Sequence, residues 1–259
     1  MSFIKRMLAS IGIGNATIET TLEKSAYYPG EIVNGTIYIN GGKVEQEVEQ
    51  IYMHLMTEYV RRRGYDKVRE RGVIGSFPIV EPQTIQPNEK KEIPFSFQMP
   101  YETPMTIHRT RVWVRTGLEI KSTIDPKDHD TIEILEHPNI LKVRESLATI
   151  GFHQTSVEQV FLPKNRFTTF PVGQQFNYKP SGSLASLVTE IEMMYFVCEE
   201  GIHLIVELDT QNRGLFDVAS EALHLHEKIM QLTFTNEELK QENEVIGEKI
   251  ANTIRNQLS

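Results

Sequence analysis

Residues Tyr27–Gly42 read YYPGEIVNGTIYINGG. Pro29 fixes φ and Gly30 permits a positive φ, so the pair turns the chain sharply. Val33, Gly35, Ile37 and Ile39 then alternate with Asn34, Thr36, Tyr38 and Asn40. Alternation at period two marks a strand with one buried and one wet face. Gly41-Gly42 turns the chain again, and Gly35 inside the strand leaves room for a close neighbour. Glu31 is the only charged side chain of the stretch and stands alone in it, so the motif carries shape rather than chemistry.

The same period extends on both sides. ATIETTLEK places Ile18, Thr20 and Leu22 on one face. VEQIYMHLMTEYV does so for Ile51, Met53 and Leu55, and KKEIPFSFQMP for Ile93, Phe95 and Phe97. RTRVWVRTGLEI sets Val112 and Val114 against Arg109, Arg111, Trp113 and Arg115, and HDTIEIL closes the set. Short strands separated by Gly, Pro, Asn and Asp turns predict an antiparallel sandwich. PNILKVRESLATI then changes period: Ile140, Val143, Leu147 and Ile150 share a helical face, with Pro138 in the first turn and Gly151 as the stop. The β period returns in FHQTSVEQVFL, QQFNYKP, LVTEIEMMYFVCE and IHLIVELDT, followed by a short helical stretch, FDVASEALHL, and a strand, IMQLTF.

The expected domains are a short N-terminal helix over 1–15, a sandwich over 16–136, a connector helix over 137–151, a second sandwich over 152–235 and an amphipathic helix over 236–259. In the last, Thr235 and Glu238 have capping-box spacing, and Leu239, Ile246, Ile250 and Ile254 form a narrow apolar stripe that Leu258 extends. That stripe suits packing on its own domain, a dimer seam or a partner, and the sequence leaves these open.

Composition limits the function. The 259 residues carry a formal net charge of −8. Residues 1–134 hold 17 Lys and Arg against 18 Asp and Glu, whereas residues 135–259 hold 10 against 17. A nucleic-acid-binding protein normally shows a basic field, so no nucleic-acid partner is expected. The single cysteine, Cys198, cannot form an internal disulfide, which suits a reducing, cytoplasmic compartment. No apolar run approaches the length of a membrane span, and the start MSFIKRMLASIGIG lacks the long apolar core of a secretory signal.

The chemistry-bearing motifs are absent: no Gly-x-Ser-x-Gly, no phosphate-cradling Gly-x-x-x-x-Gly-Lys and no His-Glu-x-x-His. His224 and His226 alternate near Glu227, too few ligands for a metal centre. Neither a metal nor a cofactor is expected. The strongest interaction candidate is RRRGYDKVRER, which sets Arg61, Arg62, Arg63, Lys67, Arg69 and Arg71 against Asp66 and Glu70. Gly64 and Gly72 suggest a hairpin tip. It suits a solvated loop, a dock for an acidic partner or for the acidic half of a second copy, or a contact with anionic lipid.

The stretch LEKSAYYPGEIVNGTIYINGG, with its Tyr-x-Pro-Gly-Glu-x-Val-x-Gly pattern, resembles the first strands of arrestin-fold proteins, and EIPFSFQMPYETPMT resembles a later strand with a Pro-x-x-x-Pro turn. The ordered set MLASIGIG, DPKDHDTIEI, ATIGFHQTSVEQV, FPVGQQFNYKP and ELDTQNRGLFD resembles, over about the whole chain, the bacterial sporulation-control proteins, an arrestin-like family. The chain departs from them at Thr210–Asn212, where that family tends to be more basic. The resemblance implies two arrestin-like antiparallel β-sandwich domains joined by a connector helix, with a C-terminal helical tail. It implies a non-enzymatic, cytoplasmic regulator of sporulation acting through protein–protein contacts. A homodimer stays open, as do a peripheral membrane-proximal or cytoskeletal adaptor and a metal-dependent enzyme.

Overall fold

The computed structural model describes residues 16–63, 66–80, 82–120, 125–162, 167–210 and 228–258. The expected N-terminal helix over 1–15, the stretch FDVASEALHL and the pair His224 and His226 lie outside these. The chain divides into two compact units, residues up to 58 with 69–135, and residues 59–68 with 136 onward.

The first unit packs two sheets face to face. One holds β1 (Thr17–Leu22), β3 (Ile32–Asn40) and β7 (Lys90–Gln98), with β3 in the middle. The other is built on β4 (Gln46–Arg63), β8 (Val112–Ile120) and β9 (Lys127–Ile134). To these it adds β2 (Ala26–Tyr27), β5 (Asp66–Val80) and β6 (Gln83–Ile85), the last two pairing with β4. The alternating residues fill the space between: Val33, Ile37, Ile39, Ile51, Met53, Leu55, Val112 and Val114 are all buried. Across the layers, Thr20 Oγ1 donates to Thr116 Oγ1 at 2.8 Å. Not every pairing is antiparallel: β2 lies parallel to β9 through Ala26↔Glu133 and Tyr27↔Ile134, and β10 (Phe152–Phe161) lies parallel to the end of β4 at Val160↔Val60.

The turn that opens the molecule works as its residues dictate. Glu31 N–H donates to Tyr28 O at 3.1 Å, with Pro29 and Gly30 between them and Gly30 at φ +82°. A Cβ on Gly30 would stand 2.3 Å from the Tyr101 ring, and one on Gly35 would stand 2.5 Å from both Phe95 and Thr21 O. Glu31 is not alone: it pairs with Lys24, and its Oε2 accepts from Tyr28 N–H at 2.9 Å. The Lys24 hydrogen bond, with that amide, holds its carboxyl below the usual range.

At the closure between β1 and β9, Asp128 Oδ2 accepts from Thr20 N–H at 2.7 Å. Asp130, two residues on and on the same face, has a buried Oδ2 with no partner. Burial first, and then the charge of Asp128 and Glu19, pushes its carboxyl up to about 6. An acid whose folded pKa lies above its unfolded value binds more protons when folded. Stability therefore falls as pH rises from about 4 to about 6, with no further change from this group above that window. Asp130→Asn is expected to gain about 1 kcal/mol at pH 7, after discounting for partial exposure. It should gain almost nothing below about pH 4, where the native carboxyl is protonated in both states. Urea titrations at the two pH values check this; an equal gain at both would reject it.

The second unit differs from the expected sandwich. Its strands are β10 (Phe152–Phe161), β11 (Val172–Pro180), β12 (Glu190–Cys198), β13 (Gly201–Asp209) and β14 (Lys228–Thr235), joined in that order as one antiparallel sheet. Among the described residues no second sheet covers it. The second layer is helical: α1 (Pro138–Thr149) and α2 (Asn243–Leu258). Alternation says that one face of a strand is buried but not what buries it, and here two helical stripes supply the cover. Ile191, Met193, Val206, Leu208, Leu232 and Phe234 point inward from the sheet; Val143, Leu147, Ile246, Ile250 and Ile254 meet them from the helices.

Polar contacts fix this layer. Arg144 of α1 pairs with Glu136 and lies 5.9 Å from the Phe176 ring centroid. Tyr178 and Tyr195 share a 2.7 Å hydroxyl contact on the same inner face, and burial pushes the Tyr178 hydroxyl up to about 12. Lys249 Nζ of α2 sits 4.5 Å from the Phe234 ring centroid.

Candidate partner-binding surfaces

β4 and β5 form a long hairpin whose Gly64 and Tyr65 lie outside the described residues. Gly72 is no turn residue; it sits inside β5. The hairpin carries all six basic candidates, and the structure neutralises much of their charge. Arg61 stacks its guanidinium 4.1 Å from the Phe161 ring centroid. Lys67 Nζ reaches Glu158 Oε2 at 3.1 Å. Arg69 and Arg71 converge on Glu58, at 3.7 and 3.6 Å. Arg71 also lies 5.9 Å from the Trp113 ring centroid. Arg62 and Arg63 stay exposed at the end of β4. Such exposed ion pairs contribute ~0–1 kcal/mol each, so a more strongly acidic partner can exchange them at little cost.

The tail candidates sit elsewhere. Leu239 belongs to a short 3₁₀ turn, Glu238–Lys240, and Ile246, Ile250 and Ile254 to α2. All four are buried, the last two completely. The capping box forms, with Glu238 N–H donating to Thr235 Oγ1 at 3.2 Å and Thr235 N–H donating to Glu238 Oε2 at 2.9 Å. It starts the 3₁₀ turn rather than one continuous helix, and α2 begins only at Asn243. Hydrogen bonds from Lys249 and Thr235 push the Glu238 carboxyl down to about 2. Gly247 brings α2 against α1 so closely that a Cβ there would stand 2.7 Å from Ser146 O. The apolar stripe is thus filled by the chain's own α1 and sheet, and a partner reaches it only if α2 is released.

The outer face of the second sheet was not singled out by the sequence. Register aligns Phe196, His203 and Thr233 across β12, β13 and β14, and then Met194, Ile205 and Gln231. Next along come Glu192, Glu207 and Ile229, with Glu190 opposite Asp209 beyond them. Phe167 lies over the first row, 5.2 Å from Phe196 and 5.5 Å from His203 between ring centroids. These rings, with Cys198 and Thr233, line a cavity of about 470 Å³. Cys198 is a free, half-buried thiol in that wall. Each strand shows its polar alternation in the sequence; which residues stand beside them is set by pairing, which a single strand does not encode.

Among the described residues no group of three or more His, Cys, Asp or Glu stands close enough to hold a metal ion, and no helix is long and apolar enough to cross a membrane. The described residues form a mainly β protein with a C-terminal helix, and a basic hairpin stands at its surface.

Comparison with known proteins makes the assignment specific. The Spo0M family model, described as SpoOM protein, matches residues 4–212, and the chain belongs to this family. It is 36% identical over 248 residues to the sporulation-control protein Spo0M of Bacillus subtilis (strain 168), covering 95% of each chain. It also matches the crystal structure of Spo0M, sporulation control protein, from Bacillus subtilis. That match has a TM-score of 0.79 and 32% identity, and covers 95% of this chain and all of the other.

Proposed function

We propose that this chain is a cytoplasmic, non-enzymatic regulator of sporulation that works through protein–protein contacts. The near full-length similarity to a sporulation-control protein carries the biological assignment. The physical support for contact rather than catalysis is the nature of the exposed features. On the hairpin, Arg and Lys side chains stand in exchangeable surface ion pairs with Glu58 and Glu158. The first unit is read as an arrestin-like sandwich, a platform that presents loops and edges to partners.

Crosslinking and affinity capture of the full chain from bacterial cells entering starvation tests this. The variant Arg62→Glu should lose captured partners at least about tenfold while its thermal melt stays unchanged, because the position is solvent-exposed. Retention of the whole partner set would remove the hairpin from the account. Turnover of a substrate by the purified chain would remove the non-enzymatic reading. Co-flotation with anionic liposomes at physiological salt, lost in the same variant, would favour a membrane-proximal adaptor instead.

A further inference from the structure

In the first unit, β8 sends Val112 and Val114 into the core and so turns Trp113 and Arg115 to the other face of its sheet. Register sets His54 of β4 directly opposite Arg115 on one side and His129 of β9 directly opposite it on the other. Two imidazoles and a guanidinium therefore stand in one row across three strands, ~10 Å wide. An aromatic ring flanks the row at each end. Trp113, opposite Met56, lies on one flank, and Tyr52, opposite Gly117, on the other. Gly117 lets Tyr52 lie across β8: a Cβ there would stand 2.5 Å from the Tyr52 hydroxyl. The Tyr52 ring centroid is 4.7 Å from that of His54 and 5.9 Å from the Arg115 guanidinium.

This row offers donors and lacks acceptors. Arg115 makes no ion pair or hydrogen bond with any described residue, and its Nε is buried without a partner. His54 Nδ1 is buried in the same condition. The remaining nitrogens of both side chains are not enclosed, so Nη1, Nη2 and Nε2 face outward. Burial, and then the charge of Arg115, lowers the His54 pKa, so its imidazole is neutral at pH 7 and carries one N–H. A buried N–H without an acceptor is costly, which places that proton on the outward Nε2. Burial likewise pushes the Tyr52 hydroxyl up and keeps it protonated. Lys127, exposed and opposite Gly117 on β9, adds a positive charge. Nearby carboxylates are engaged or stand to one end. Glu58 takes Arg69 and Arg71, Asp125 Oδ1 accepts from Ile120 N–H, and the charges of Asp125 and Glu119 act on Tyr52. An incoming anion therefore belongs at Arg115 and His129 rather than beside Tyr52.

We propose that this face is a binding site for a phosphate monoester carried on a planar ring. Arg115 holds two terminal oxygens with Nη1 and Nη2, the paired fork that suits phosphate. His54 Nε2–H and the His129 ring donate to the same group, and the carrier ring rests against Trp113. A carboxylate presents two oxygens to this row, whereas a phosphate monoester presents three and a second negative charge. The site goes beyond the protein-contact reading and does not require it, because the same group occurs on small molecules and on tyrosine side chains of proteins.

Trp113 is the only tryptophan of the chain, so its fluorescence in the full-length protein reports on this site. Phenyl phosphate should change that signal saturably, at about tenfold lower concentration than inorganic phosphate or benzoate. Arg115→Gln should weaken phenyl phosphate at least about tenfold. His129→Ala, at an exposed position, should weaken it about threefold with an unchanged thermal melt, which keeps the test valid if Arg115→Gln lowers the melt. Free phosphotyrosine and a capped glycine pentapeptide with phosphotyrosine at its centre separate the two sources. Tighter binding of the peptide assigns the phosphate to a protein side chain, and equal binding assigns it to a small molecule. No saturable change below ~10 mM phenyl phosphate, or a change that survives both substitutions, would overturn the site. Benzoate binding as tightly as phenyl phosphate would overturn the assignment to phosphate. Capture of partners from starved cells reads a different surface, so failure of this site leaves the protein-contact reading standing.

Discussion

Ile250→Ala is expected to lower the stability of the second unit by about 3 kcal/mol. Ile250 is completely buried on α2, which packs against α1, itself contributing the fully buried Val143 and Leu147. Truncation deletes three methyl or methylene groups from a close-packed layer and leaves a cavity, the combination that costs ~2–5 kcal/mol for such residues. The effect should appear as a lower denaturation midpoint for the second unit, followed by a probe within its sheet. A change below ~1 kcal/mol would mean that the tail helix is not part of that core. For the same reason, deleting residues 236–259 should expose the inner sheet face and α1, so loss of partners after that deletion would report unfolding rather than a lost docking helix.

Gly247→Leu is expected to cost at least as much, through overpacking rather than a cavity. A Cβ at Gly247 would stand 2.7 Å from both Ser146 O and Thr149 Oγ1, with Ile150 Cγ2 at 3.0 Å. Backbone oxygen cannot move aside as a flexible side chain can, and Ser146 is fully buried. Removing a helical glycine gains ~1 kcal/mol in helix propensity, but separating two packed helices costs several times that. The expected net loss is about 3 kcal/mol, with the far-UV helix signal kept and the thermal midpoint lowered. A stabilised protein would show that α1 and α2 are further apart than described.

These two variants mark where the sequence speaks clearly and where it stops. The strands around Tyr27–Gly42 were legible because Pro29, Gly30, Gly35 and the alternation of Val33, Ile37 and Ile39 each demand a local geometry that does not depend on distant residues. The connector helix was legible from Pro138 and the spacing of Ile140, Val143 and Leu147. The tail stripe at Leu239, Ile246, Ile250 and Ile254 was equally visible, but its occupant was not. A narrow apolar stripe is consistent with a dimer seam or with a domain core, and only the presence of a second stripe on α1 and an uncovered sheet face decides between them. The same gap produced the expected second sandwich. Ile191, Met193, Val206 and Leu208 announce a buried face, and a helix pair covers it as well as a sheet would.

The surface divides in a similar way. The basic run Arg61–Arg71 was found because its charges are contiguous in the chain. Their compensation by Glu58 and Glu158 was not, because strand pairing and packing bring those carboxylates in. The acidic rows Glu190↔Asp209 and Glu192↔Glu207 and the cavity at His203 come from register alone.

Central to the account is that α2 is a structural layer of the second unit, which leaves the exposed hairpin to meet partners. Native-state hydrogen exchange on the free full-length chain measures this most directly. The amides of Ile246–Ile254 should exchange only with global unfolding of their unit, at the same free energy as the amides of β13. Exchange of α2 by local opening, at a free energy several kcal/mol below that of β13, would contradict it and return the tail helix to the list of partner-binding elements.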